Sequence, residues 1–184
     1  MMKSLTYIHV YLIQTILNIL PFFWIDVFYD NQTYIGNQLN HPIYLFLWAL
    51  SSAFGFYYYS KKIWEKQNVK YNKKNHALIC LGMILSSSIP YNNITIIPYN
   101  NITILKDLHV WLSILFVASF IMEWFYYIPV NLNKNSILFF INTGLSFVFT
   151  FMFGHITSFC EIYFSFTTTI LLHHWLVQDK FYQF

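Results

Sequence analysis

The chain has 184 residues, of which 57% are hydrophobic and 9% are charged. A soluble domain carries about 25% charged residues, so the charge here is too sparse to cover a soluble globular surface. The ten basic residues are all lysines, and a net charge of +3 gives no indication of a nucleic-acid partner. The composition therefore predicts an integral membrane protein.

Six apolar segments have the composition of membrane-spanning helices, which need about 20 residues to cross a bilayer core. The third segment is short before Pro90: only about fourteen residues precede it, roughly 21 Å of helix, so the span either kinks there or is tilted. The short links between segments leave no room for a soluble domain. We therefore predict one all-α domain over residues 1–184, a polytopic membrane bundle of six transmembrane helices. The predicted spans lie at about 5–25, 42–60, 76–96, 107–128, 136–153 and 156–177.

The placement of lysines predicts the orientation of the chain, because cytoplasmic loops carry the excess of positive charge. Six of the ten lysines lie in the link between the second and third spans. With six alternating spans, Lys3, Lys134 and Lys180 fall on the same side, and Lys106 alone falls outside. We therefore expect both termini to be cytoplasmic. The bias towards Asn, Ile, Tyr, Phe and Lys suggests the plasma membrane of an AT-rich bacterium.

The octapeptide Ile-Pro-Tyr-Asn-Asn-Ile-Thr-Ile occurs twice in succession, at 89–96 and 97–104. Solenoid repeats have periods of about 20–50 residues and need at least three copies, so this is no solenoid. We interpret it as a local tandem duplication at the end of the third span and in the outer link that follows. A paired ligand-binding loop is the alternative.

Ionisable residues collect at the predicted outer end of the bundle, where each is a candidate for function because charge is costly in a membrane. They are either solvated loop residues or an acid–base or metal site. Zinc takes His and carboxylate ligands, but no HExxH or CxxC spacing is present, so we predict no metal and no cofactor. Asp107 also suits the N-cap of the fourth span. The collection comprises Asp26, Asp30, His41, Asp107, His109, His155 and Glu161.

Glu161 belongs to a polar stripe on the sixth span that includes Thr157, Ser165, Thr168 and Thr169. Residues at this spacing share one helix face, so the stripe is predicted to face other helices. We expect the Glu161 carboxylate to face the bundle and to hydrogen-bond to the fourth or fifth span, near His109 or Asn142.

Other polar residues within the spans are interpreted as structural. Glu123, near the inner end of the fourth span, is expected at the headgroup boundary. Gln14, Asn18 and Asn142 are expected to hydrogen-bond to neighbouring helices.

The order of these features resembles a known family. Six short spans, a lysine-rich link after the second, "HALICLGMILSSSIPY" leading to "DLHVWLSILF", and a glutamate in the sixth span are similar to the six-helix damage-regulated autophagy modulator type of membrane protein. The resemblance implies a non-enzymatic membrane protein that acts on lipid organisation or trafficking.

Two classes of function remain open from the sequence. The first is a non-catalytic multi-pass membrane protein that binds lipid or a partner membrane protein, since no phosphate loop or nucleophile elbow is present. The alternative is an intramembrane lipid-modifying enzyme with Glu161, His155, His109 and Asp107 as its catalytic candidates. A small transporter is less favoured, because no charge pair is predicted at mid-membrane depth. The expected partners are membrane lipids and other membrane proteins, with no nucleic acid.

Overall fold

The computed structural model describes residues 2–89, 101–127 and 133–178, and the side chains of all of these except 2, 3 and 101–107. In the described ranges the chain forms helices and no strand, so the predicted all-α class is confirmed for this part of the chain.

Seven helices make up the described part of the chain. The first, α1, runs continuously through an α-helical start, a π-helical segment, a second α-helical segment and a final 3₁₀ turn: Met2–Ile8, His9–Gln14, Thr15–Ile19 and Leu20–Phe23. The others are α2 Gln32–Asn37, α3 Pro42–Lys66, α4 Lys73–Ser87, α5 Asn101–Tyr127, α6 Lys134–Phe153 and α7 Ser158–Gln178.

Local sequence signals set several of these boundaries. Pro42 begins α3, where its fixed φ and missing N–H carry no penalty. The Asn72 side chain accepts hydrogen bonds from the first N–H groups of α4, and Asn133 forms a capping box with Ser136 at the start of α6. Gly154 ends α6 in the left-handed conformation, with φ of 71°.

The prediction of six membrane spans holds only in part. Within the described residues, three helical segments are long and apolar enough to cross a membrane: Ser4–Phe23, Leu108–Tyr127 and Lys134–Phe153. The helix α4 has 15 residues, about 22 Å of helix, which is shorter than a bilayer core of about 30 Å. The predicted residues 90–96 of that span lie outside the described part.

The remaining two long helices are interrupted by polar residues. Serines, three consecutive tyrosines and three lysines occur along α3, and α7 carries the predicted threonine-rich stripe and a pair of histidines. The serines of α3, Thr168, Thr169 and His173 are buried, whereas the lysines and His174 are partly or fully exposed.

The start of α5 corrects two expectations. The helix begins at Asn101, so the backbone of Asp107 lies nearly two turns inside it and the N-cap prediction for Asp107 is wrong. The last four residues of the second octapeptide, 101–104, form the first turn of α5 and are therefore not part of a link. The rest of the duplication, 90–100, lies outside the described residues.

The helices pack so that the ends predicted to share one side of a membrane meet. The loop after α1 bonds to the start of α7, where the Ser158 N–H donates to the Asp30 carbonyl at 2.6 Å. This end also holds α2, and we call it the α2 end. At the opposite end, Lys66 donates to the Leu176 carbonyl and the Asn72 N–H donates to the Tyr127 hydroxyl.

An aromatic core fills the half of the bundle farther from α2. Trp124 lies at its centre, with ring centroids 5.1 Å from Trp64, 5.2 Å from Trp175 and 4.9 Å from Phe139. All four side chains are buried. Their Cα positions come from α3, α5, α6 and α7, so this cluster joins four helices.

The contact between α4 and α5 depends on a glycine. A methyl group placed at Gly82 would overlap the ring of Phe116, whereas one placed at Gly144 on α6 would meet nothing within 4 Å. Both glycines lie inside helices, where alanine is favoured over glycine by about 1 kcal/mol. Comparing alanine at the two positions therefore separates the effect of helix propensity on stability from the effect of close packing.

We expect Gly82→Ala to lower the melting temperature of the purified protein, because the Phe116 ring has to move, and Gly144→Ala to leave it unchanged or raise it. Thermal unfolding in detergent, followed by circular dichroism, measures both. Gly82→Ala combined with Phe116→Ala should recover part of the loss. Equal effects at the two glycines would mean that the α4–α5 approach does not limit stability.

Candidate functional site

A cavity of about 390 Å³ occupies the α2 half of the bundle. Five helices, α3 to α7, contribute its walls, and residues 31–33 at the start of α2 cover its polar end. The walls are mostly aliphatic and aromatic, with Phe56, Met83 and Ile121 at the deep end beside the aromatic core. Its volume lies within the range of about 300–1,000 Å³ that is typical of small-ligand sites.

Glu161 lies at the polar end of this cavity and holds α2 in place. Its Oε2 atom accepts a hydrogen bond of 2.7 Å from the backbone N–H of Gln32, the first residue of α2. The first N–H groups of a helix have no partner within the helix, so a carboxylate there satisfies an otherwise unpaired donor. The Glu161 residue is partly exposed and lines the cavity.

His109 of α5 bonds to the next residue of α2. Its Nδ1 atom lies 2.6 Å from the Ser86 carbonyl, which can only accept, so Nδ1 carries the proton. The Nε2 atom lies 3.1 Å from the Thr33 hydroxyl, which donates to it when the imidazole is neutral. His109 therefore joins α2, α4 and α5 at the cavity wall.

These contacts confirm part of the expectation for Glu161 and correct the rest. The polar stripe faces other helices as predicted, since Thr157, Ser165, Thr168 and Thr169 are all buried. The predicted partner of Glu161 was wrong: the carboxylate bonds to α2 and not to the fourth or fifth span. The reason is that the loop before α2 folds back over the start of α7, which brings the Gln32 N–H to the carboxylate.

The other predicted outer residues do not join this pair in one site. His155 bonds to the carbonyls of Phe153 and Tyr29, and His41 stacks on Trp24. The carboxylates of Asp26 and Asp30 accept from backbone N–H groups of their own loop. The Asp107 side chain lies outside the described residues. Among the described residues, no three His, Cys, Asp or Glu side chains lie close enough to hold a metal ion.

Three polar side chains that line the cavity are incompletely paired. The Nε2 atom of Gln32 and the hydroxyls of Ser52 and Ser113 are buried and have no hydrogen-bond partner among the described residues. Gln32 itself is 0% exposed, and its Oε1 atom accepts from the Tyr44 hydroxyl at 2.9 Å. An unpaired buried polar group costs about 1–3 kcal/mol, so each one requires an explanation such as a bound molecule.

A second polar pair, which the sequence analysis missed, lies at the opposite end. The Glu123 carboxylate is buried and bonds to His76 Nδ1 at 2.7 Å and to Asn75 Nδ2 at 2.9 Å. The His76 ring also stacks on Tyr57. The expectation that Glu123 lies at the headgroup boundary did not include these two partners. Both residues lie near the inner ends of adjacent predicted spans. Their equal predicted depth could therefore have indicated the pair.

The predicted interhelical amides are confirmed. Gln14 Nε2 donates to the Ser51 hydroxyl at 2.9 Å, and Asn142 Nδ2 donates to the Thr168 hydroxyl at 3.0 Å. Asn18 Oδ1 accepts from Trp48 Nε1 at 3.0 Å.

Comparisons with protein-family models, with curated proteins and with solved structures found no match to this chain. The case for a function therefore depends on the site.

Two substitutions at Glu161 test its structural role. We expect Glu161→Gln to keep the melting temperature nearly unchanged, because the amide oxygen can still accept from the Gln32 N–H. Glu161→Leu removes that acceptor and should destabilise the protein by about 1–2 kcal/mol, measured by thermal unfolding in detergent. Equal stability of the two variants would show that the bond to α2 contributes nothing.

Proposed function

We propose that this protein is a multi-pass membrane protein that binds a lipid in the cavity beneath α2 and performs no chemistry on it. The observation that carries the proposal is the cavity itself: about 390 Å³ with mostly apolar walls and a small set of polar groups at one end. An amphipathic ligand fits this distribution, with its apolar part among the aliphatic and aromatic side chains and its polar part near α2.

The proposal includes six membrane crossings with both termini cytoplasmic. Three helices with the length and apolarity of spans support membrane insertion. The contacts between the loop after α1 and the start of α7, and between α3 and the end of α7, agree with alternating crossings. The polar residues of α3 and α7 then face the bundle interior, where a membrane helix tolerates them.

Cysteine labelling tests this topology, since both native cysteines are buried. We expect Lys70→Cys, in the lysine-rich link, to react with a membrane-impermeant maleimide only after the cells are opened. Tyr29→Cys, an exposed position at the α2 end, should react in intact cells. Labelling of Lys70→Cys from outside would overturn the orientation, and labelling of both from one side would overturn the number of crossings.

Filling the cavity tests lipid binding directly. Ala53 is buried in the cavity wall, and Ala53→Phe should remove most of the lipid that co-purifies with the protein, measured by native mass spectrometry. Leu50→Phe, on an exposed face of the same helix that does not line the cavity, is the matched control and should retain it. Ala53→Leu adds less volume and covers the case in which the phenylalanine variant does not fold. Lipid retained in both well-folded Ala53 variants would contradict the proposal.

An intramembrane lipid-modifying enzyme is the second candidate, and one observation favours it. A carboxylate and an imidazole, Glu161 and His109, both line the cavity and bond to consecutive residues of α2. Such a pair can transfer protons to and from a bound substrate. Loss of a lipid-converting activity in Glu161→Gln, with folding and lipid binding retained, would favour the enzyme over the binding protein.

The role implied by the resemblance to the damage-regulated autophagy modulator type of membrane protein, in lipid organisation or trafficking, remains a prediction. A role in lipid organisation is compatible with lipid binding in the cavity, and so is a role that involves a partner membrane protein.

A further inference from the structure

The cavity has a side opening along α5. Val110, Ile114 and Ala118 lie at intervals of four residues on one face of this helix, line the cavity, and are all exposed. On the facing part of α6, Phe147 also lines the cavity and is 53% exposed. A side chain that borders both an internal cavity and the bundle surface marks the edge of an opening. These four residues are the rim of a slot between α5 and α6.

The slot is closed at the end away from α2. Phe125 and Phe140 stack across the two helices with centroids 4.4 Å apart, and Trp124 contacts Phe139 at 4.9 Å. Phe120, Trp124 and Phe139 are fully buried, whereas Ile114, six residues before Phe120 on the same helix, is 42% exposed. The two helices therefore touch at one end and separate towards the other.

The length of the slot matches half of a bilayer. The rim residues of α5 extend from Val110 to Ala118, eight helical steps or about 12 Å of helix. One leaflet of a bilayer core is about 15 Å thick. With α5 as a span, the slot opens into the hydrocarbon of the leaflet on the α2 side and not into water.

The polar end of the cavity favours an uncharged head. Among the described side chains, no lysine lines the cavity and the Glu161 carboxylate does, so the described polar end offers a phosphate an anion and no cation. The Glu161 side chain is negatively charged when ionised and neutral when protonated, so in neither form does it supply a positive charge. Gln32 Nε2 needs an acceptor and the unpaired hydroxyls of Ser52 and Ser113 can donate or accept. A head with hydroxyl groups supplies both kinds of partner when these side chains turn towards the cavity.

The cavity volume limits the ligand to a single chain, since about 390 Å³ is near the lower end of the range for small-ligand sites. We propose that the ligand is a single-chain lipid with an uncharged hydroxyl-bearing head, of the monoacylglycerol type, which enters the cavity sideways from the membrane through the slot between α5 and α6. This inference rests on the proposed lipid-binding function and names the ligand class and its route.

Photolabelling in phosphatidylcholine vesicles tests both parts. The probe is a monoacylglycerol with a diazirine in its acyl chain, and the labelled residues are mapped by mass spectrometry. In the unmodified protein we expect labels on cavity-lining residues of α5 and α6. Excess unlabelled monoacylglycerol should abolish them. A lysophosphatidylglycerol of the same chain length should compete about tenfold less well, because its phosphate would lie near the Glu161 carboxylate and has no cationic partner among the described side chains.

Rim variants test the route. Ile114→Trp should slow the labelling about tenfold while leaving its final extent similar, because the indole narrows the entrance. Leu115→Trp is the matched control: it is similarly exposed, does not line the cavity, and should label at the normal rate. Phe147→Ala widens the entrance and should speed the labelling, which covers the case in which Ile114→Trp does not fold.

Each failure has a distinct meaning. Normal labelling rates in both rim variants would overturn entry through the slot and leave lipid binding intact. Equal competition by the anionic lysolipid would overturn the uncharged head. If no cavity residue is labelled and the Ala53 variants retain as much lipid as the unmodified protein, the proposed lipid-binding function fails together with this inference.

Discussion

The described structure depends on hydrogen bonds between buried polar side chains that join one helix to another. In a bilayer, apolar side chains gain little by leaving lipid for protein, so close packing and interhelical hydrogen bonds decide which helices associate. Asn18 shows the principle most directly. Its Oδ1 atom accepts from Trp48 at 3.0 Å and from the Ser165 hydroxyl at 3.3 Å, while its Nδ2 atom donates to Gln14. One amide thereby links α1, α3 and α7.

The distribution of these bonds also explains where the cavity lies. The polar side chains of α5 bond to α2, α3 and α4: His109 to Thr33 and Ser86, Trp124 to Ser60, and Glu123 to His76. The buried amide of α6, Asn142, bonds to threonines of α7. No hydrogen bond between described side chains joins α5 directly to α6, and the two helices meet through aromatic rings at one end. Where those rings end, the helices separate and the slot begins.

The sequence predicted the six longer helices to within a few residues at most ends, because an apolar run is a local signal. It also predicted that the threonine stripe of α7 faces other helices. The short helix α2 was missed, since six residues between two spans carry no recognisable apolar period. The partner of Glu161 was missed for a related reason: it is a backbone N–H, and its position depends on how the loop before α2 folds onto α7. The cavity could not be predicted, because it depends on the separation of α5 and α6, and no single segment of sequence determines that separation.

The bonds made by Glu161 and His109 bear on the choice between binding and catalysis. Both groups are engaged in holding α2: the carboxylate accepts from the Gln32 N–H, and the imidazole bonds to Thr33 and to the Ser86 carbonyl. A general acid or base must present its proton-carrying atom to the substrate. If His109 acted in this way, it would have to break one of these bonds, to α2 or to Ser86. If Glu161 did, only the carboxylate oxygen that does not bond to α2 would be free for the substrate. A binding site has no such requirement, because a ligand needs only the unpaired groups of Gln32, Ser52 and Ser113 and the apolar walls. These bonds therefore support the proposed binding site more than the proposed enzyme.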